Sequence, residues 1–190
     1  MPIVDLLRKN RSIRRFHQDY RIEISSLRHM VECARLSPSA RNMQPLRYVL
    51  SCDPWKNARI FPHLGWAGYL TEGPGPEEGE RPSAYIILCG DRTVVDPIRW
   101  DDGICAHSIL LAGAEMNLGG CMIGTINKKG LAETLGIPER YEIYLVVALG
   151  KPKEKVKIEP VANDNIKYYR DADGVHHVPK RSLDELILDL

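Results

Sequence analysis

The chain has 190 residues, with 26 Lys+Arg against 25 Asp+Glu and a net charge of +1. That length suits a single domain over residues 1–190, with core enough to need no disulfide or metal staple. Hydrophobic and charged fractions of 44% and 27% exclude a disordered chain, and the near-neutral balance argues against non-specific grip on nucleic acid. No apolar run approaches the ~20 residues of a membrane span.

The opening MPIVDLLRKN carries an acid and reads as a helix over 2–10 rather than a secretory leader, with Ile3, Leu6 and Leu7 on one face. A soluble, cytoplasmic protein is therefore expected. A second helix runs from Ser25 or Ser26 to about Leu36, with Leu27, Met30, Val31 and Ala34 at helical spacing and Pro38 beyond its end. RYVLSC (47–52) and AYIILCG (84–90) read as strands. Between them lies an aromatic stretch (Trp55, Phe61, Trp66, Tyr69), then a breaker-rich exposed loop over 73–82. Residues 101–118 predict a helix whose only charge between Ile104 and Leu118 is Glu115, so it is expected to be buried on all sides and to meet a second subunit. A short strand (121–124), a helix from Asn127 to Leu135 closed by Gly136, and a central strand over 142–150 follow.

Beyond Lys151 the period is lost. Residues 151–182 read either as disordered or, preferably, as an irregular arm, with Val156, Ile158, Val161, Ile166, Tyr168 and Tyr169 as apolar anchors for a neighbouring subunit. A last helix after Ser182 has Glu185 placed for a capping box. The five cysteines are an odd number and widely spaced, with no C-x-x-C, which favours buried reduced thiols. His176 and His177 near Asp171 and Asp173 match no zinc or calcium spacing, so no metal is expected and the pair is read as an arm contact. Asp101 and Asp102 read as a helix-start pair, and His63 and His107 as structural.

Three segments carry candidate chemistry. Arg11, Ser12 and Arg14 put two guanidiniums and a hydroxyl within one turn, a pattern suited to a phosphate. The plainer reading is a solvated basic turn. Pro38, Ser39, Ala40, Asn42 and Gln44 form a loop whose two amides both donate and accept, as a flat heterocycle requires, although it also reads as an ordinary polar loop. Lys180 and Arg181 stand before the last helix, as an anion site or as exposed tail charges.

In order, R-S-x-R at 11, S-P-S-x-x-N-x-Q-P at 37, AHSILLAGAEMNLGGCMIG, LAETLGIPERYEIYLVVALGKP and P-K-R at 179 resemble the FMN-dependent nitroreductase family over nearly the whole chain. The resemblance implies an α+β fold, with a mixed, mostly antiparallel central sheet flanked by helices. It further implies a homodimer with exchanged C-terminal arms and FMN at the interface. Arg11, Ser12 and Arg14 would hold the phosphate and ribityl chain, with Lys180 and Arg181 completing the phosphate site. Pro38, Ser39 and Ala40 would approach from the other subunit, with Asn42 and Gln44 at the ring edge. Ile123, Gly124 and Thr125 would line the opposite ring face. Separately, Trp66 and Tyr69 read either as covering the flavin and substrate pocket or as core or lid packing. Asn10 stands where many members carry an arginine.

No catalytic side chain is expected, because flavin performs the chemistry. NAD(P)H would donate hydride and a nitroaromatic, quinone or similar small acceptor would take it in a ping-pong cycle. The chain has no G-x-S-x-G and no G-x-G-x-x-G, so the nicotinamide would be a transient substrate. The competing readings are a flavin-storing or sensing module without turnover, a different flavin reaction such as enone reduction or dehalogenation, and a non-flavin interaction protein.

Overall fold

The structure, a computed structural model, describes residues 1–69 and 75–190. Its spine is an antiparallel sheet in the order β2 (Leu46–Ser51), β3 (Ala84–Asp91), β5 (Tyr141–Pro152), with β4 (Gly119–Ile123) and β1 (Phe16–His17) sharing the far edge of β5. The segment before β1 adds to the outer side of β4 through a parallel bridge from Ser12 to Gly120. Every residue of β3 is buried, and β5 is paired on both sides, as a continuous apolar run dictates.

Side-chain alternation divides the core in two. Ile86, Leu88, Val147 and Leu149 face α2 (Ile24–Arg35) and α4 (Asp101–Glu115), where Leu27, Met30, Ala106 and Ile109 meet them. Tyr85, Ile87, Val146 and Ala148 face the opposite layer, which holds Ile60 of α3 (Pro54–Ile60) and Leu131 of α5 (Lys128–Leu135). Helix ends follow local chemistry. Asn127 caps α5 by accepting from the Gly130 N–H at 3.1 Å, and Gly136 closes it at φ 65°, in the left-handed region.

Two expectations change, and two helices are left partly open in the single chain. Helix α3 lies where only an aromatic segment was expected; its signal is Asp53, which accepts from the Lys56 N–H at 2.7 Å, with Pro54 in the first turn. Helix α2 starts after Glu23, which makes no side-chain cap, rather than at Ser25. In the single chain α4 is not covered on all sides: Ile104 is 40% exposed and Leu111 half-buried, which leaves open the contact expected with a second subunit. Helix α1 (Ile3–Lys9) buries none of its residues. Of the breaker-rich loop, residues 73 and 74 lie outside the described residues, and 75–82 hold only turns and bends.

The arm is the largest correction. It folds as a three-stranded sheet, with β8 (His176–Lys180) parallel to β6 (Val156–Pro160) and antiparallel to β7 (Tyr169–Arg170). Strands this short, with polar outward residues, leave no periodic trace in sequence. A short helix, α6 (Leu183–Leu186), follows, with the capping box between Ser182 and Glu185 in place. Among the described residues no metal-ligating group forms.

His177 holds the small sheet together. Its Nδ1 lies 2.7 Å from a Glu159 oxygen and its Nε2 lies 2.9 Å from an Asp171 oxygen. Carboxylates only accept, so both ring nitrogens must donate and the ring is an imidazolium. Tyr169 stacks on it at 4.7 Å between ring centroids. The two carboxylates push the His177 pKa up, and His177 in turn holds both carboxyls below their ordinary range. The His177 contribution is therefore complete below about pH 6.5 and is lost as pH rises through its raised value. The carboxylate contribution is lost at the acid end, as pH falls through their lowered values. Ring NMR should place His177 above 6.5, and proteolysis of residues 156–180 should accelerate as pH rises through that value. A His177 titrating at or below 6.5 contradicts this reading.

Candidate functional site

The first basic segment is laid against β4 by main-chain bonding. The Ile13 N–H donates to the Gly120 carbonyl at 2.9 Å, and α1 is tied to the turn after α4 by Lys9 Nζ donating to Asn117 at 2.7 Å. Gly120 is required here, because a side chain would run into the Ala148 carbonyl oxygen and lie 2.8 Å from Leu110 Cδ2. Glu154, 2% exposed at its side chain, accepts from the Arg14 and Arg15 N–H groups and from Arg170 Nη2 at 2.8 Å. It fixes the turn that aims Arg11 and Arg14.

The two guanidiniums are held but unneutralised. Arg11 Nη2 donates to the Leu7 carbonyl at 2.7 Å, whereas its Nε is buried with no partner. Arg14 lies over the Tyr168 ring at 5.0 Å, and its Nη1 is likewise buried and unpartnered. Neither forms an ion pair among the described residues. Burial lowers the Arg11 pKa, a cost that a bound anion would remove.

Residues 65–69 run beside the far end of β4. The Gly65 N–H donates to the Thr125 carbonyl at 2.8 Å, and a Cβ on Gly65 would stand 2.6 Å from Thr125 Cγ2. Trp66, next in sequence, has its indole N–H buried without a partner. The Tyr69 ring lies 5.0 Å from Tyr168, the ring that Arg14 also covers. Ile123 is buried, while Gly124 and Thr125 are exposed and nothing approaches within 3.9 Å of a Cβ built on Gly124. The structure thus brings together Arg11, Ser12, Arg14, Ile123, Gly124, Thr125, Trp66 and Tyr69 along one sheet edge.

The amide loop lies elsewhere. Asp101, 3% exposed, accepts from Ser39 Oγ at 2.5 Å and from the Ala40 N–H at 3.2 Å, and Ser37 Oγ meets Ser108 Oγ at 2.6 Å. Asp101 is more than a helix-start acid: it fixes the loop to the first turn of α4. Arg41, Asn42 and Gln44 all have φ between 51° and 56°, which is rare for residues with side chains. Gln44 Nε2 donates to the carbonyl and side-chain oxygens of Asn42, both at 3.1 Å, so the two amides form one exposed unit. Strain of this kind persists only where surroundings over-determine it, and it gathers at ligand sites.

Within one chain the two halves stand at opposite ends of α4. That helix has 15 residues and is therefore roughly 22 Å long. The last pair is separate again. Lys180 is exposed at the end of β8, four residues and roughly 13 Å along the strand from His176, which packs on Tyr168. Arg181 is engaged inside the arm, with its Nη1 2.9 Å from Asp164 and 3.2 Å from Glu185.

Sequence reasoning missed Glu154, and it read Tyr168 and His176 only as arm contacts. The first sits in a charged run, and the others depend on the small sheet. His176 is 1% exposed, neither ring nitrogen is hydrogen-bonded among the described residues, Nδ1 lies 3.8 Å from a Glu154 oxygen, and burial lowers its pKa. The cysteines are free, and burial pushes the Cys89 and Cys121 thiols up to about 11 and about 12, which removes them as nucleophiles. His63 bonds Thr134 at 2.9 Å, a structural role as expected.

The nitroreductase family model matches residues 7–71 and 98–151. The chain belongs to the nitroreductase family. Among curated relatives, a protein of Archaeoglobus fulgidus with the provisional name NADH dehydrogenase/NAD(P)H nitroreductase is 28% identical over 153 residues, covering 76% of this chain and 82% of its own. The structure of a nitroreductase family protein from Streptococcus pneumoniae superposes with a TM-score of 0.72 at 20% identity, over 100% of both chains. An FMN-dependent nitroreductase from Clostridium difficile gives 0.64 at 24% identity, covering 85% of this chain and 92% of its own. These likenesses carry the fold of this nitroreductase family member; its ligand must be argued from its own residues.

Proposed function

We propose that this protein is an FMN-dependent oxidoreductase that works as a homodimer. The observation that carries the reading is the pair of guanidiniums, on Arg11 and Arg14, each with a buried N–H that no group among the described residues satisfies. An orphaned buried donor is costly, and a phosphate beside β4 would satisfy both. Ser12 and the Ile123–Thr125 segment would hold the rest of the cofactor along the β4 edge, with Trp66 and Tyr69 covering the pocket. When bound, FMN supplies hydride chemistry between NAD(P)H and a small oxidised acceptor.

The protein's own share is to bind, orient and exclude water. Glu154 aims the Arg11–Arg14 turn, and Asp101 fixes Ser39 and Ala40 so that Asn42 and Gln44 are presented together. Exposed Gly124 and Thr125 leave room for a flat ring. No side chain need be a nucleophile.

The distance between the two halves supports a dimer. A single copy keeps Asn42 and Gln44 about one α4 length from Arg14, whereas a second copy with α4 reversed would bring its loop to the first copy's β4 edge. The uncovered apolar residues fit such a contact: Ile3 and Leu7 on α1, Ile104 on α4, and Leu186, Ile187 and Leu188 at the end of the arm are all exposed. The arm, with Lys180 and Arg181, would cross to the partner to complete the phosphate site.

Purified protein should carry the yellow absorbance of bound flavin. NADH or NADPH should bleach it anaerobically, and a nitroaromatic or quinone should restore it. A colourless protein that takes up no added FMN contradicts the proposal. Flavin that binds but is not bleached supports storage or sensing instead.

A further inference from the structure

A second cavity of about 630 Å³ opens beside the amide loop, between residues 40–45 and 95–101. Met43, Val95, Pro97 and the Trp100 indole give it apolar walls, and Arg41 and Arg99 reach it from opposite sides. Trp100 is 70% exposed. Both Arg41 and Trp100 have backbones in the left-handed region, at φ 52° and 65°. Two side-chain-bearing residues strained on facing walls of one cavity are the pattern found at ligand clamps.

Charge decides what the cavity takes. Two acids border it, one hydrogen-bonded and the other, half-exposed, in a long ion pair. Asp101 accepts from Ser39 and Ala40, and Asp96 pairs with Arg92 at 3.8 Å. The Arg41 and Arg99 guanidiniums have no hydrogen bond or ion pair among the described residues. An apolar slot with an exposed indole and two free guanidiniums suits a planar ring bearing an anionic oxygen group: the ring stacks on the indole, and the anion takes paired N–H bonds.

We infer that this cavity selects anionic aromatic ligands, of the aryl carboxylate class, as the acceptors of the reaction. The choice of acceptor rests on the flavin reading above, because Asn42 and Gln44 would place the ring next to this cavity. The binding preference does not rest on it.

Calorimetric titration of the purified protein with benzoate and, separately, with neutral benzamide reads the cavity without turnover. Benzoate should bind about tenfold more tightly or better, the effect of one charge-assisted contact. R41Q and R99Q, both at exposed positions where the fold is insensitive, should erase most of that preference and leave benzamide unchanged. Equal binding of the two ligands, or a preference that survives both substitutions, overturns the inference. In turnover, R99Q should raise KM for 4-nitrobenzoate about tenfold, with kcat and the kinetics of 4-nitrobenzamide unchanged. Arginine-dependent benzoate binding in a protein that holds no flavin would support the cavity's preference and overturn the oxidoreductase reading alone.

Discussion

G120V should be the most destructive single substitution near the site, yielding insoluble protein or a urea midpoint far below that of the parent. A side chain at Gly120 meets the Ala148 carbonyl oxygen in the middle of the sheet, together with Leu110 Cδ2 at 2.8 Å and Leu149 Cδ2 at 2.9 Å. The carbonyl belongs to β5, which is paired on both sides and cannot retreat. Overpacking of a core typically costs about 1–3 kcal/mol, and more where main chain must move. Against a total stability of about 5–15 kcal/mol, that is a large fraction. The residue just past this strand offers a control. G124V should leave the midpoint nearly unchanged, because a Cβ there touches nothing within 3.9 Å. A G120V protein with the parent's midpoint contradicts the packing described for the β4 edge.

The double substitution R11A/R14A should weaken FMN binding on the order of 100-fold, with the melting temperature of the FMN-free protein shifted far less. Hydrogen bonds to charged groups contribute about 1.5–3 kcal/mol each, and 1.4 kcal/mol is tenfold in affinity. Lysine keeps the charge but loses the fork, so R11K/R14K should recover only part of the loss. Arg14 also lies over Tyr168, so R14A alone should loosen the arm and R11A should not. Fluorescence titration with FMN, alongside thermal melts, separates the two effects. Unchanged FMN affinity in the double variant removes the phosphate assignment.

The layers were legible in the sequence wherever one period dominates. The α2 spacing, the continuous apolar runs of β3 and β5, and the caps of α5 and α6 each map onto an element within a few residues. What was hidden depended on pairing at a distance. Strands β6, β7 and β8 exist because His177 bridges Glu159 and Asp171, contacts 18 and 6 residues apart that no local window shows. Glu154 reads as one more charge in a charged run, yet it holds two N–H groups 140 and 139 residues away. Arg11 and Arg14 were readable as an anion clamp from their types, but only the structure shows that each keeps one buried donor without a partner among the described residues.

The central claim is that each flavin site joins Arg11 and Arg14 of one copy to Asn42 and Gln44 of another. It is tested most directly by mixing two defective variants, R11A/R14A and N42A/Q44A, and counting flavin. Each variant alone spoils both sites of its dimer, whereas a mixed dimer collects the defects in one site and leaves the other whole. Mixing by unfolding and refolding together should therefore restore tight FMN binding and turnover, at about one flavin per mixed dimer. If the mixture binds no more flavin than the separate variants, the site is not built from two copies of the chain.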